Sequence, residues 1–405
     1  MTSSRLSTHI VQLVTAILLT LGTVSFAADP LQPNAVTQLK LMEPPILIPA
    51  LRLGVFDLHP QVAAGVTYDD NITLSSGNKL ADWIWTVTPH LAAIADNMLD
   101  GYGTSLTLEY GPSFLMFTQH DENDTVEHHA NLAALWAMSK LSLGLNQRFD
   151  QTKNGVVEVG QRLQHRQYTT ELTSRYKLGE KTSVELNPRL TISETKGLIG
   201  YREYAADTFL NRLITSKITG SLGGSFGYID LTDGPIQTYQ RALGRFHYAL
   251  SGKLELEASA GAEWREFHGG RSDAVTPVLG LGSAYRPFEG TTITLEAHRR
   301  DEISAALVDE DYTATGVTLG IRQRVIERLH VSLTGSYENR DYHAAAMGVS
   351  AVRNDDLYTL RAGIGTNLGR HWTVDVFYQY TKDSTNFPDR RFADNQFGLL
   401  GTWKL

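Results

Sequence analysis

From about residue 56 to Leu405 the chain alternates apolar and polar positions with a period of two. In one such stretch Leu254, Leu256, Ala258, Ala260, Ala262 and Trp264 are apolar or small, while Glu255, Glu257, Ser259, Glu263 and Arg265 fall between them. Period two sends successive side chains to opposite faces, so each segment predicts a strand with one apolar and one polar face. The segments run about ten to thirteen residues, against the five or six usual in a soluble sandwich, and a tilted strand needs about that length to cross a bilayer.

Tight turns recur about every forty residues, each ahead of an upstroke of similar shape, as in an array of one supersecondary unit. They are Ser139-Lys140-Leu141, Glu180-Lys181-Thr182, Ser216-Lys217-Ile218, Gly252-Lys253-Leu254, Glu327-Arg328-Leu329 and Gly369-Arg370-His371. The alternate connections read as longer and more polar: Asp69 to Lys79, Asp121 to His128, Gln151 to Gly160, Asp301 to Asp311, Tyr342 to Asn354 and Asp383 to Arg391. Together they predict an all-β, transmembrane, antiparallel up-and-down β-barrel of about eighteen strands (16–18), with short periplasmic turns and longer extracellular loops. The first strand falls near Asp57 to Tyr68 and the last on Phe397 to Leu405. Aromatic residues near strand ends are expected at the two lipid interfaces, among them Trp83, Trp85, Tyr248, Trp264, Trp372, Tyr380 and Trp403.

Composition agrees. Past the N-terminus no apolar run reaches the eighteen or so residues of a membrane helix. The chain has no cysteine, which suits an oxidising compartment, and its net charge of −8 argues against a nucleic-acid partner. Residues 1–27 carry Arg5, an apolar run from Ile10 to Val24, and Ser25-Phe26-Ala27 as a small-x-small cleavage site, the layout of a secretory signal peptide. Residues 28–55 contain Pro30, Pro33, Pro44, Pro45 and Pro49, which exclude a regular helix or central strand. This segment reads as a periplasmic lead-in or partial plug, ahead of a single barrel domain over 56–405.

The opening of the barrel carries a resemblance. Leu53-Gly54-Val55-Phe56, through His59-Pro60 to Gly65-Val66-Thr67-Tyr68-Asp69-Asp70-Asn71-Ile72, followed by Asp82-Trp83-Ile84-Trp85-Thr86-Val87-Thr88-Pro89, resembles the outer-membrane β-barrel porin family associated with exopolysaccharide biosynthesis and export. In motif the resemblance covers only these forty or so residues, and the terminal Trp403-Lys404-Leu405 departs from the aromatic close common in that family. It implies a multi-pass barrel in the Gram-negative outer membrane, serving as a passive conduit for exopolysaccharide. Implied partners are outer-membrane lipid and lipopolysaccharide, the barrel-assembly machinery and a polysaccharide-export complex. A general diffusion porin for small hydrophilic solutes and a closed structural barrel are the alternatives.

On the polar face, the candidate pore-lining residues are Arg175, Arg189, Arg241, Arg245, Arg265, Arg322, Arg361, Glu171, Glu185, Glu255, Glu257 and Glu263. Turn positions predict Arg175 opposite Glu185, Glu171 opposite Arg189, Arg241 opposite Glu263 and His247 opposite Glu257. Such pairs neutralise one another, or offer a hydroxyl-rich polymer many weak hydrogen-bonding places. No nucleophile elbow appears, so no enzyme, catalytic residue or cofactor is expected. His128 and His129 near Asp121, Glu122 and Asp124 suggest metal ligands but lack the pattern of a calcium loop, and no metal site is assigned. The acidic runs Tyr68-Asp69-Asp70-Asn71 and Asp121-Glu122-Asn123-Asp124 read as solvated turns, or as places for divalent cations that bridge lipopolysaccharide.

Overall fold

The computed structural model describes residues 51–96, 103–250, 252–269, 272–306, 311–343 and 353–405. A short strand, β1 (Leu51–Leu53), precedes eighteen long ones. In chain order these are β2 (Phe56–Asp69), β3 (Asp82–Asp96), β4 (Gly103–Phe117), β5 (Thr125–Ala137), β6 (Leu141–Val156), β7 (Gln161–Lys177), β8 (Thr182–Thr195), β9 (Tyr201–Thr215) and β10 (Ile218–Leu231). They continue as β11 (Gln237–Leu250), β12 (Leu254–Phe267), β13 (Ala274–Tyr285), β14 (Thr291–Ile303), β15 (Asp311–Ile326), β16 (Leu329–His343), β17 (Asn354–Leu368), β18 (Trp372–Thr385) and β19 (Phe392–Lys404). Each pairs antiparallel with the next, and β19 returns to β2 from Gln396↔Asp69 to Lys404↔Gln61. The sheet closes as a barrel without a free edge, as backbone in lipid requires.

Five of the six predicted upstrokes begin on the residue after the turn's basic side chain: Leu141, Thr182, Ile218, Leu254 and Leu329. Gly252 and Gly369 supply φ of +68° and +76° in two of these turns, a conformation that a side chain resists. The segment expected to be a signal peptide and most of the expected lead-in lie outside the described residues. The end of the lead-in is β1, which turns at Gly54 and pairs as Leu51↔Leu58 and Leu53↔Phe56. β3 holds the other edge of β2, so β1 extends the seam just below the last bond of β19, from Leu405 N to Pro60 O.

The strands are longer than the alternation suggested, from 12 residues in β13 to 17 in β7. Gln151–Val156 and His128 belong to strands, and the connection expected over Gln151 to Gly160 shrinks to Val157–Gly160. The physical reason is that only about nine to eleven residues need face lipid. Beyond the bilayer the same ladder continues, but its outer face no longer has to be apolar, so the alternation fades before the strand ends.

Outside, the apolar rows stand exposed, as a lipid-facing wall must. Near the long connections aromatic pairs bridge neighbouring strands: Tyr68 and Trp83 with centroids 5.2 Å apart, Tyr204 and Tyr228 at 6.3 Å, and Tyr337 and Tyr358 at 5.1 Å. One stretch of wall parts. β13 and β14 are in register only from Leu279↔Arg299 to Tyr285↔Ile293, although both strands continue upward. Pro277, which has no N–H, lies just above the fork.

Candidate functional site

The inner face is lined with charge. Arg175, on β7, donates to Glu185 on β8, and the two are register partners as the turn predicted. Arg245 of β11 approaches the other Glu185 oxygen at 3.6 Å and lies over the Phe209 ring. Arg241 and Arg265 both donate to Glu263, and the Arg241↔Glu263 and His247↔Glu257 pairings form as predicted. Glu171 stands opposite Arg189 in register, yet Arg189 makes its ion pair with Glu203 on the next strand, at 3.4 Å. Arg361 donates to Gln379 and stacks over Phe377. Register also puts Glu255 beside Ala249, and Arg322 between Thr292 and Ser332, on the inward face.

The predicted interface aromatics take the opposite face. Trp83, Trp85, Trp264 and Trp372 are exposed on the outer wall. Tyr248 is half-buried, Tyr380 lines a shallow outer groove with Tyr337 and Tyr358, and Trp403 lines another with Trp372 and Val62.

Along the lumen, exposure falls toward the long connections. The Arg175 and Arg148 side chains are 47% and 49% exposed, whereas those of Arg265 and Arg353 are 3% and 8% exposed. The upper charges are covered because the extracellular connections fold inward. Between β6 and β7 the turn Val157–Gly160 crosses to the opposite wall. There Glu158 Oε1 accepts from Tyr342 Oη at 3.0 Å, Glu158 Oε2 from Ala305 N at 3.0 Å, and the Glu158 carbonyl from Arg353 at 3.1 Å. Arg390, on the β18–β19 connection, donates to the Val159 carbonyl. Burial pushes the Glu158 carboxyl above its usual range, although Arg340, Tyr342 and Arg353 pull the other way.

Two apolar anchors hold the β2–β3 connection. Leu74, from the β2–β3 connection, packs with Val157, Leu357 and Phe392. Its φ of +54° is unusual for leucine, a conformation kept only where packing over-determines it. Ile72 packs with Ile84, Leu115 and Phe117. From the β8–β9 connection Ile199 N donates to Ala305 O at 2.9 Å and its side chain packs with Ile229, Leu231 and Tyr239, while the Tyr312 and Tyr342 rings lie 4.8 Å apart in a separate cluster. The mouth is therefore a constriction made by loops meeting one another, above a charged lumen open to water.

Residues 237–403, covering β11 to β19, match the family model described as "Putative beta-barrel porin 2". The chain has the fold and the lipid-facing wall of an outer-membrane β-barrel porin. Among solved structures it is similar to Pseudomonas aeruginosa OccK2 (OpdF) in complex with glucuronate, at 11% identity over 86% of this chain and 98% of that one, with a TM-score of 0.49. It is also similar to Acinetobacter baumannii OccAB4, at 10% identity over 86% and 98% with a TM-score of 0.46. No curated protein matches the chain.

In this barrel His128 and His129 point to opposite faces of β5. His128 bonds to the outer Tyr110 hydroxyl at 2.9 Å and His129 to the inner Asp150 carboxylate at 2.8 Å, so the pair cannot hold one ion. Sequence reasoning missed the constriction residues Leu74, Glu158, Tyr342 and Arg353. A signal existed: Val156-Val157-Glu158-Val159 is an unusually apolar run for a solvated loop.

Proposed function

We propose that this porin is a passive channel for small hydrophilic solutes, weakly selective by charge and limited in size by its mouth. The observation that carries the reading is the contrast between the water-accessible Arg175 and Arg148 and the Glu158 turn bonded to the far wall. Eighteen strands enclose more space than side chains can fill. The lining carries guanidinium groups beside carboxylates, so no strong field of one sign favours anions or cations. A small solute needs only brief gaps between the inward loops. An exopolysaccharide, the cargo implied by the sequence resemblance, needs a continuous bore. The Glu158, Val159 and Leu74 contacts would all have to release together, which makes polymer export the weaker reading.

Liposome swelling tests this. With the porin reconstituted, neutral sugars are expected to enter at rates that fall steeply from mono- to tetrasaccharide. No swelling with a monosaccharide, or equal rates for a long oligosaccharide, overturns the proposal.

A further inference from the structure

The seam where β19 closes on β2 ends, at its extracellular side, in an oxygen-rich cluster. Asp69, Asp70 and Asp394 each offer a carboxylate oxygen, and the three atoms lie within 4.8 Å of one another. That span is about twice a calcium–oxygen distance, so one ion can touch all three. Asp69 and Asp394 are 4% and 1% exposed, on the inner face, while Asp70 is half-buried. The reading of Asp69 as part of a solvated loop is thus replaced by a buried position in the wall.

Most of these oxygens have a donor. Asn71 N bonds to Asp69 Oδ1 at 2.8 Å, and the Gln396 amide donates to both Asp69 Oδ2 at 3.2 Å and Asp394 Oδ2 at 2.9 Å. Asn395 donates twice to Asp70. Asp394 Oδ1 has no partner. A second side chain repeats the deficit: Thr381 is the register partner of Asp394, shares its inward face, is 0% exposed, and its hydroxyl has no hydrogen-bond partner. Residues facing each other across a ladder have Cβ atoms about 5 Å apart, and since neither atom has a hydrogen-bond partner, the hydroxyl and the carboxylate oxygen share one level of the inner face without bonding to each other.

Basic groups nearby make no direct contact with it. Arg162 faces the cluster from β7 and its charge acts on Asp69 and Asp394 from a distance, but its Nη1 and Nη2 go to the Ile72 and Lys153 carbonyls and its Nε has no partner, and Lys79 Nζ goes to the Ala393 carbonyl. Among the described residues no ion pair within 4.0 Å is formed by Asp69, Asp70 or Asp394. Asp69 and Asp394 lie in side-chain contact with each other, and two buried carboxylates so placed without a salt bridge are costly unless a proton or a cation lies between them.

We infer that Asp69, Asp70 and Asp394 bind a calcium ion that staples the first barrel strand to the last, with the Thr381 hydroxyl beside it. Hard carboxylate oxygens and a pocket free of nitrogen or sulfur ligands suit an alkaline-earth ion. The ion neutralises the clustered charge and holds the top of the seam, where the β2–β19 ladder ends at Asp69↔Gln396.

The test uses the full chain refolded free of lipopolysaccharide, stripped with chelator and titrated with calcium chloride alone. Calorimetry is expected to show one saturable site, and the temperature at which the folded band is lost on electrophoresis is expected to rise with calcium. Asp394→Asn should weaken binding at least tenfold and abolish the rise. Should that variant not fold, Asp70→Asn, at the half-buried edge, gives the same readout. No calcium binding by the wild-type barrel up to millimolar concentration, or binding unchanged in the folded variant, overturns the inference and leaves a proton shared between Asp69 and Asp394 as the remedy.

Discussion

At the scale of single residues, parity decides environment. Leu222 on β10 is 73% exposed on the outer face, and its neighbour Ser221 turns inward, where its hydroxyl bonds to Asn211. A guanidinium placed on the lipid face meets hydrocarbon, at a cost of about 2–4 kcal/mol near the bilayer midplane, while the same group in the lumen meets water and carboxylates. Leu222→Arg is therefore expected to lower barrel stability by about that amount and Ser221→Arg by far less, measured by urea unfolding in lipid vesicles. Equal effects would mean that the two faces are not lipid and water. Arg265 shows parity at its most demanding: it is enclosed by Glu263, the Gln237 amide and the Asp301 carbonyl. Asp301 lies on β14 above the fork, so this inward guanidinium satisfies a carbonyl in the stretch where β13 has parted from β14.

At the scale of elements, strands and turns were legible because each obeys a local rule. A period of two marks a strand, and a basic residue before an apolar upstroke marks a periplasmic turn. Register followed from turn position, so Arg175↔Glu185 and Arg241↔Glu263 could be read before any coordinates. Loop conformation could not. Glu158 is set by Ala305, Tyr342 and Arg353, which lie 147 to 195 positions away, and no local pattern encodes such contacts. For the same reason Arg189 was matched to its hairpin partner Glu171 and its ion pair with Glu203 was not foreseen. The β6–β7 turn also carries a pH dependence. Burial raises the Glu158 carboxyl above 4.5 in the docked turn, so docking binds a proton and is favoured as pH falls through the raised value. Acidification from neutral pH should reduce single-channel conductance, and Glu158→Gln should flatten that component. An unchanged pH profile in the variant would show that the turn is not the element responding.

At the scale of the whole molecule, the closed wall, the charged lumen and the inward loops make one arrangement. Eighteen strands satisfy every neighbour around the ring and leave an interior too wide to fill with side chains. Charge within that interior is distributed so that guanidinium and carboxylate groups meet across the strands, and among the described residues the inward connections meet one another at the mouth. The sequence resemblance identified a porin wall correctly and implied a polymer cargo that the geometry of the mouth does not favour. Cargo depends on the free cross-section between loops, which strand periodicity does not report. The most direct measurement is conductance of the reconstituted full chain in a planar bilayer under a salt gradient. Stepwise, ohmic currents with a reversal potential near zero are predicted; a silent membrane, or a reversal potential near that of a purely anion- or cation-selective pore, would contradict the account.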